Sequence, residues 1–108
     1  MPGAIVVVKC TFPPGREHEC ADWYDNTHFP DMLTVPGVLS TKRYQLTPDG
    51  HKIMRGRTPP PGNSLLIYEL DHADIDTFIS DLNTAMAGFH PMFENIEFGE
   101  ISMYSQVN

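Results

Sequence analysis

The chain has 108 residues, 41% of them hydrophobic, and its 7 basic and 14 acidic side chains give a formal charge of −7. That length supports one core and leaves no room for a second, so residues 1–108 read as a single domain. The acidic balance argues against general affinity for nucleic acid or an anionic membrane, since both need a basic surface.

Ala4 to Phe12 is rich in β-branched residues and is followed by Pro13, Pro14 and Gly15, which predicts a first strand buried on both faces. Alternation puts Val6, Val8, Cys10 and Phe12 on one face, and Ile5, Val7, Lys9 and Thr11 on the other. The residues before it lack a basic n-region and a cleavage site, and no apolar stretch approaches membrane-spanning length. Cys10 and Cys20 show neither CxxC nor Cys/His spacing, so no zinc site or disulfide framework is indicated. Two reduced thiols in a cytoplasmic protein are expected.

From Arg16 to about His28 the pattern turns helical, with Cys20, Tyr24 and His28 at i, i+4 spacing and Trp23 beside them. Pro30 is expected to stop this helix. His28 would then sit at a helix C-terminus, where the dipole favours the protonated ring and titration falls near neutral pH. Phe29 to Val38 reads as a connecting loop. Leu39 to Leu46 reads as a second strand, with Leu39, Thr41, Arg43 and Gln45 on one face and Ser40, Lys42, Tyr44 and Leu46 on the other.

Thr47 to Asn63 holds four prolines and three glycines and cannot be a regular element. Loops of this length are usually lids or mobile segments. Five of the seven basic residues, Lys42, Arg43, Lys52, Arg55 and Arg57, fall in or just before it. They are either a solvated loop surface or a patch for a carboxylate, phenolate or enolate ligand.

Ser64 to Leu70 makes a third strand, and Asp71 is the expected cap of a helix whose first turn carries Asp74 and Asp76. Ile75, Phe78, Ile79, Leu82, Met86 and Phe89 form an apolar stripe at helical spacing that reads as core, with Gly88 as a stop. A last strand near Phe98 to Gln106 completes the order β-α-β-β-α-β. That order describes an α+β, ferredoxin-like fold: an antiparallel four-stranded sheet with two helices on one face. The other face is expected to carry Val7, Lys9, Arg43, Tyr68 or its neighbours, and the last strand. A second copy packed sheet to sheet would bury it, which predicts a homodimer whose joined sheets enclose or border a ligand cavity.

The densest chemistry lies in Trp23-Tyr24-Asp25-Asn26-Thr27-His28-Phe29-Pro30-Asp31, where aromatic surface, carboxylates and a titratable ring coincide. The pattern WYDNTHFPDML, then VPGV, then KRY, resembles dimeric α+β barrel proteins of the EthD type. The likeness is strongest over residues 16–46, and element order extends it to nearly the whole chain. Related barrels include small polyketide cyclases, anthrone dehydratases, muconolactone isomerases and cofactor-free monooxygenases. The resemblance implies a small-molecule substrate, no metal or organic cofactor, and a histidine near the first helix acting as acid or base. His28 is the matching position.

On that basis His28 is the expected proton-transfer group, oriented by Tyr24 or Asp31, with Arg43 or Lys9 stabilising an oxyanion. Trp23, Phe29, Tyr44, Tyr68 and His90 are the other expected substrate contacts. The bland alternatives are a helix-capping His28, an Arg43 ion-paired to Glu69 or Glu100, and a half-buried Tyr44. The expected reaction is proton abstraction next to a carbonyl, followed by cyclisation, isomerisation or loss of water. Cofactor-free oxygenation of a phenol or anthrone, or non-catalytic binding of a hydrophobic metabolite, are the alternatives. No GxSxG, P-loop or dinucleotide fingerprint is present.

Overall fold

The run of β-branched residues near the N-terminus forms the strand on which the rest is assembled. A computed structural model describes residues 3–107 and gives β1 (Ala4–Thr11), α1 (Glu17–Trp23), a π-helical turn (Tyr24–His28) and α2 (Phe29–Met32). These are followed by β2 (Val38–Gln45), a 3-10 turn (Gly50–Ile53), β3 (Ser64–Leu70), α3 (Ile75–Met86) and β4 (Glu97–Ser105). The strands form one sheet in the order β2-β3-β1-β4, with every neighbouring pair antiparallel. Strand β3 is thus inserted between β1 and β2, which is the split βαβ arrangement of a ferredoxin-like fold.

Register decides the faces. Val6 pairs with Tyr68 and Met103, and Val8 with Leu66 and Ile101, so these side chains share the helix-covered face. Arg43 pairs with Leu66 and joins that face too. Arg43 and Tyr68 therefore lie under the helices rather than on the open face, because the bulge between Val38 and Ser40 and the observed pairing fix the alternation of β2 and β3. The core on this side includes Cys10, Cys20, Tyr24, Leu66 and Leu70, each no more than 1% exposed.

The open face carries Ile5, Val7, Leu65 and Ile67 at its centre. Lys9 is ion-paired there to Glu100 at 3.3 Å, the Tyr104 hydroxyl donates to Glu100, and Ser40 donates to Glu69 at 3.3 Å. Among the described residues no element covers this face.

The first helix does not stop at His28. Phe29 N–H donates to the Tyr24 carbonyl, five residues back, and the chain continues helical to Met32. Pro30 lacks an N–H, and in a straight α-helix its ring would press on the carbonyl four residues earlier. The wide turn relieves that clash, and Pro30 then falls at the start of α2, where a missing N–H is tolerated. Helix α3 is capped by Asp74, three residues after the expected Asp71. The Asp74 carboxylate accepts the Thr77 N–H at 3.1 Å, and the Asp74 N–H is accepted by His72 Nδ1 at 3.1 Å.

The segment between β2 and β3 stands out from the body, with Ile53 92% exposed. Lys52 pairs with Asp49 at 3.0 Å, while Arg55 and Arg57 form no ion pair among the described residues. No described helix is long and apolar enough to cross a membrane.

Candidate active site

A cavity of about 370 Å³ opens between the helices and the sheet. Its volume is that of an ordinary small-molecule site, about 300–1,000 Å³. Val6, Val8, Leu66 and Tyr68 form the floor. One wall is Tyr24, His28 and Met32, and the facing wall is Phe78, Leu82 and Met86 of α3. Phe89, His90 and Met92 lie at the mouth, with Phe98 and Ile101 of β4. The cavity is therefore on the helix side of the sheet, not on the open face where the sheet-to-sheet expectation put it.

The lining is apolar except for two tyrosines and two histidines, and it holds no Lys or Arg. Tyr24 and Tyr68 are buried, and burial raises both phenol pKa values, so they present hydroxyls rather than phenolates. Tyr24 is locked by neighbours: its ring stacks on Phe12 at 5.4 Å and meets Phe29 at 5.7 Å, and its hydroxyl contacts the Cys10 thiol. Burial likewise raises the thiols, Cys20 to about 11, so neither is a reactive thiolate near neutral pH.

His28 is half-buried among aromatic rings. It stacks on Trp23 at 4.8 Å with the planes 14° apart, and Tyr24 and Phe89 meet its edge at 5.5 and 6.0 Å. The stacking exists because the π turn brings residues five apart into register. Burial lowers the His28 pKa, with only a weaker opposing pull from Asp31. The helix end that would have favoured the charged ring is absent, so the ring is held neutral. Among the described residues no side-chain hydrogen bond orients it.

Asp31, the expected orienting partner, faces the other histidine. Its Oδ2 accepts the backbone N–H of His90 at 2.8 Å and lies 3.0 Å from His90 Nδ1, with Oδ1 at 3.2 Å. These hydrogen bonds, led by the backbone one, hold the Asp31 carboxyl below its ordinary pKa. The loop after α3 is thereby tied to α2, fixing His90 at the cavity mouth.

Of the expected site residues the structure gathers His28, Tyr24, Tyr68 and His90 around one cavity, with Asp31 directly behind His90. The remainder are elsewhere. Phe29 is buried in the core against Tyr68, and Trp23 supports His28 from behind without lining the cavity. Arg43 makes a two-pronged contact with Asp25, 2.8 and 3.1 Å, instead of pairing with Glu69 or Glu100. Lys9 and Tyr44 lie on the open face, where they line a separate shallow groove. The basic loop contributes nothing to the cavity.

The wall residues Phe78, Leu82 and Met86 belong to the stripe that reads as core in the sequence. The signal available was the width of the stripe: Ile75 and Ile79 remain about half exposed, which shows a face wider than the sheet can cover. Three methionines, Met32, Met86 and Met92, add a pliable surface suited to ligands of varied shape. Among the described residues no group of three or more His, Cys, Asp or Glu is placed to hold a metal ion.

Sheet order and a helix-side cavity together define a small ferredoxin-like α+β domain with a cavity built from a single chain. No protein-family model and no curated protein sequence matches the chain. Among solved structures it is similar to HapK from Hahella chejuensis, with a TM-score of 0.61 and 12% identity over 96% of this chain and 92% of that one. It is also similar to a "putative monooxygenase" from Shewanella loihica PV-4, with a TM-score of 0.53 and 17% identity over 100% and 98%. An ethyl tert-butyl ether D (EthD) family protein from Bacillus halodurans C-125 superposes with a TM-score of 0.41 and 18% identity over 93% and 98%. At these identities the likeness to the first two establishes the shared small α+β fold and nothing finer.

Proposed function

We propose that this protein is a cofactor-independent acid–base enzyme acting on a small, uncharged, aromatic, polyketide-like or lactone-like oxygenated molecule. Proton transfer at a carbon next to a carbonyl would be followed by cyclisation, isomerisation or dehydration. The observation that carries this reading is His28, an imidazole whose pKa is lowered by burial, on the wall of an apolar cavity whose other polar side chains are Tyr24, Tyr68 and His90. A neutral ring offers one nitrogen that accepts and one that donates a proton, which is what such chemistry requires near neutral pH. Without Lys or Arg in the lining a carboxylate substrate has no counter-ion, so the pocket suits neutral ligands. Half-exposed Met86, Met92, Phe98 and Ile101 around the opening favour entry of an apolar molecule.

Replacing His28 by Ala tests the proposal. Turnover of an enolisable aromatic ketone is expected to fall by about 100-fold or more, the size of the loss of either a general acid–base group or an oxyanion donor, while ligand binding persists. Full turnover in His28→Ala would sink it, and binding without turnover in the wild type would instead mark a carrier of a hydrophobic metabolite.

Oxygenation of an electron-rich phenol or anthrone is a second reading, favoured by the fold shared with the Shewanella protein. The same cavity would then form a carbanion that reacts with oxygen, and stoichiometric oxygen uptake would separate the two. We also propose that the chain pairs with a second copy through its open sheet face, whose apolar centre of Ile5, Val7, Leu65 and Ile67 needs a cover.

A further inference from the structure

We propose that proton transfer in this cavity is divided between two histidines: His90, aimed by Asp31, is the base, and His28 is the hydrogen-bond donor to the oxyanion that forms. This rests on the acid–base function above and assigns its two roles. Asp31 grips His90 twice, at the backbone N–H (2.8 Å) and at ring Nδ1 (3.0 Å). A carboxylate there requires the proton on Nδ1, so Nε2 keeps its lone pair. The Asp31 side chain is only 13% exposed and that of His90 is 65% exposed. The orienting group is therefore shielded while the base can exchange its proton with water.

The two rings differ in what happens if they become charged. An imidazolium at His90 forms against the Asp31 carboxylate, whereas one at His28 would form among Trp23, Tyr24 and Phe89 with no adjacent hydrogen-bonding carboxylate. His90 is thus suited to accept a proton and His28 to stay neutral. In the reaction a C–H bond next to the carbonyl breaks, its proton goes to His90 Nε2, and its electron pair becomes the C=C bond of an enolate. The carbonyl oxygen takes the negative charge and accepts a hydrogen bond from the His28 N–H. His90 then returns the proton to a different carbon, or to departing hydroxide as water.

Anthrone, whose methylene protons are acidic and visible by NMR, is the probe. Its proton exchange in deuterated buffer under argon would be followed with wild type, His90→Gln, Asp31→Asn and His28→Gln, with the exposed His18→Gln as control. We expect exchange to fall about 100-fold or more in His90→Gln, the usual worth of a general base, and to be unchanged in His18→Gln. Asp31→Asn still accepts the His90 backbone N–H but can donate to Nδ1. It should therefore slow exchange, alter the pH profile and move His90 from the Nδ1–H to the Nε2–H tautomer in nitrogen-15 spectra. His28→Gln, which keeps an N–H donor, should retain more activity than His28→Ala. Exchange surviving in His90→Gln but lost in His28→Gln would overturn the division and leave the acid–base function standing. An Nε2–H tautomer for His90 in the wild type would also overturn it, and a wild type no faster than buffer would overturn the acid–base function itself.

Discussion

The two cavity histidines are distinguished by what surrounds them, and stability should register the difference. His28 is held neutral by burial, so its folded pKa lies below the ordinary value. As pH falls through about 6.5, the unfolded chain takes up a proton at this ring that the folded protein resists, so stability is lost on acidification. We expect His28→Gln to flatten the dependence of the urea midpoint on pH between about pH 7 and pH 5.5, the window set by that ordinary value. The Asp31 carboxyl, also depressed, contributes stability above its ordinary value near 3.8 and loses it at lower pH still. Asp31→Asn should therefore remove the second loss while keeping the first, which it should deepen slightly because the upward pull of Asp31 on His28 goes with the charge. The aromatic setting of His28 was legible in the sequence because Trp23, Tyr24 and Phe29 stand beside it. Its charge state was not, since that depended on a helix end that does not exist. Nor was its stacking on Trp23, because residues five apart on an α-helix point roughly 140° away from each other.

Strand alternation and the order of elements were readable because β-branched runs and their proline or glycine boundaries are local signals. Pro30 misled because its rule applies to a straight α-helix, and a π turn escapes it. The cap of α3 was misplaced among three nearby aspartates, Asp71, Asp74 and Asp76, which composition alone does not separate. Asp74→Ala should cost about 1 kcal/mol in chemical denaturation, the usual worth of an N-cap. Because α3 forms one cavity wall, the same variant should weaken ligand binding. Gly37 begins the entry to β2 at φ +89°, and its carbonyl accepts the Asp71 N–H at 2.9 Å. A Cβ there would meet the Asp71 carboxylate and the His72 ring at 3.0 Å. Gly37→Ala combines a left-handed backbone with that crowding and should destabilise by about 1–3 kcal/mol, measured by the same unfolding curves.

At the scale of the molecule the sheet has two unlike faces, one roofed by helices with a cavity beneath them and one bare. The proposed pairing through the bare face predicts that Ile67→Lys, which puts an unpaired charge at its centre, shifts sedimentation from dimer to monomer while the helical circular dichroism is retained. A wild-type monomer at the same concentration would refute the pairing. Charge is as unevenly distributed as cover: residues 58–108 contain no Lys or Arg, and the last basic side chains stand on the exposed segment between β2 and β3. Trypsin therefore has no site beyond Arg57. A cut there would leave β3, α3 and β4 on one uninterrupted fragment, and β1, the first helix and β2 on the other. Strand β3 pairs with both β1 and β2, and β4 with β1, so the fragments interlock across three strand pairs. The cavity takes walls from both fragments, so a chain nicked at Arg57 is expected to migrate as one species on size exclusion, and two separately made pieces should reassemble the cavity only when they meet.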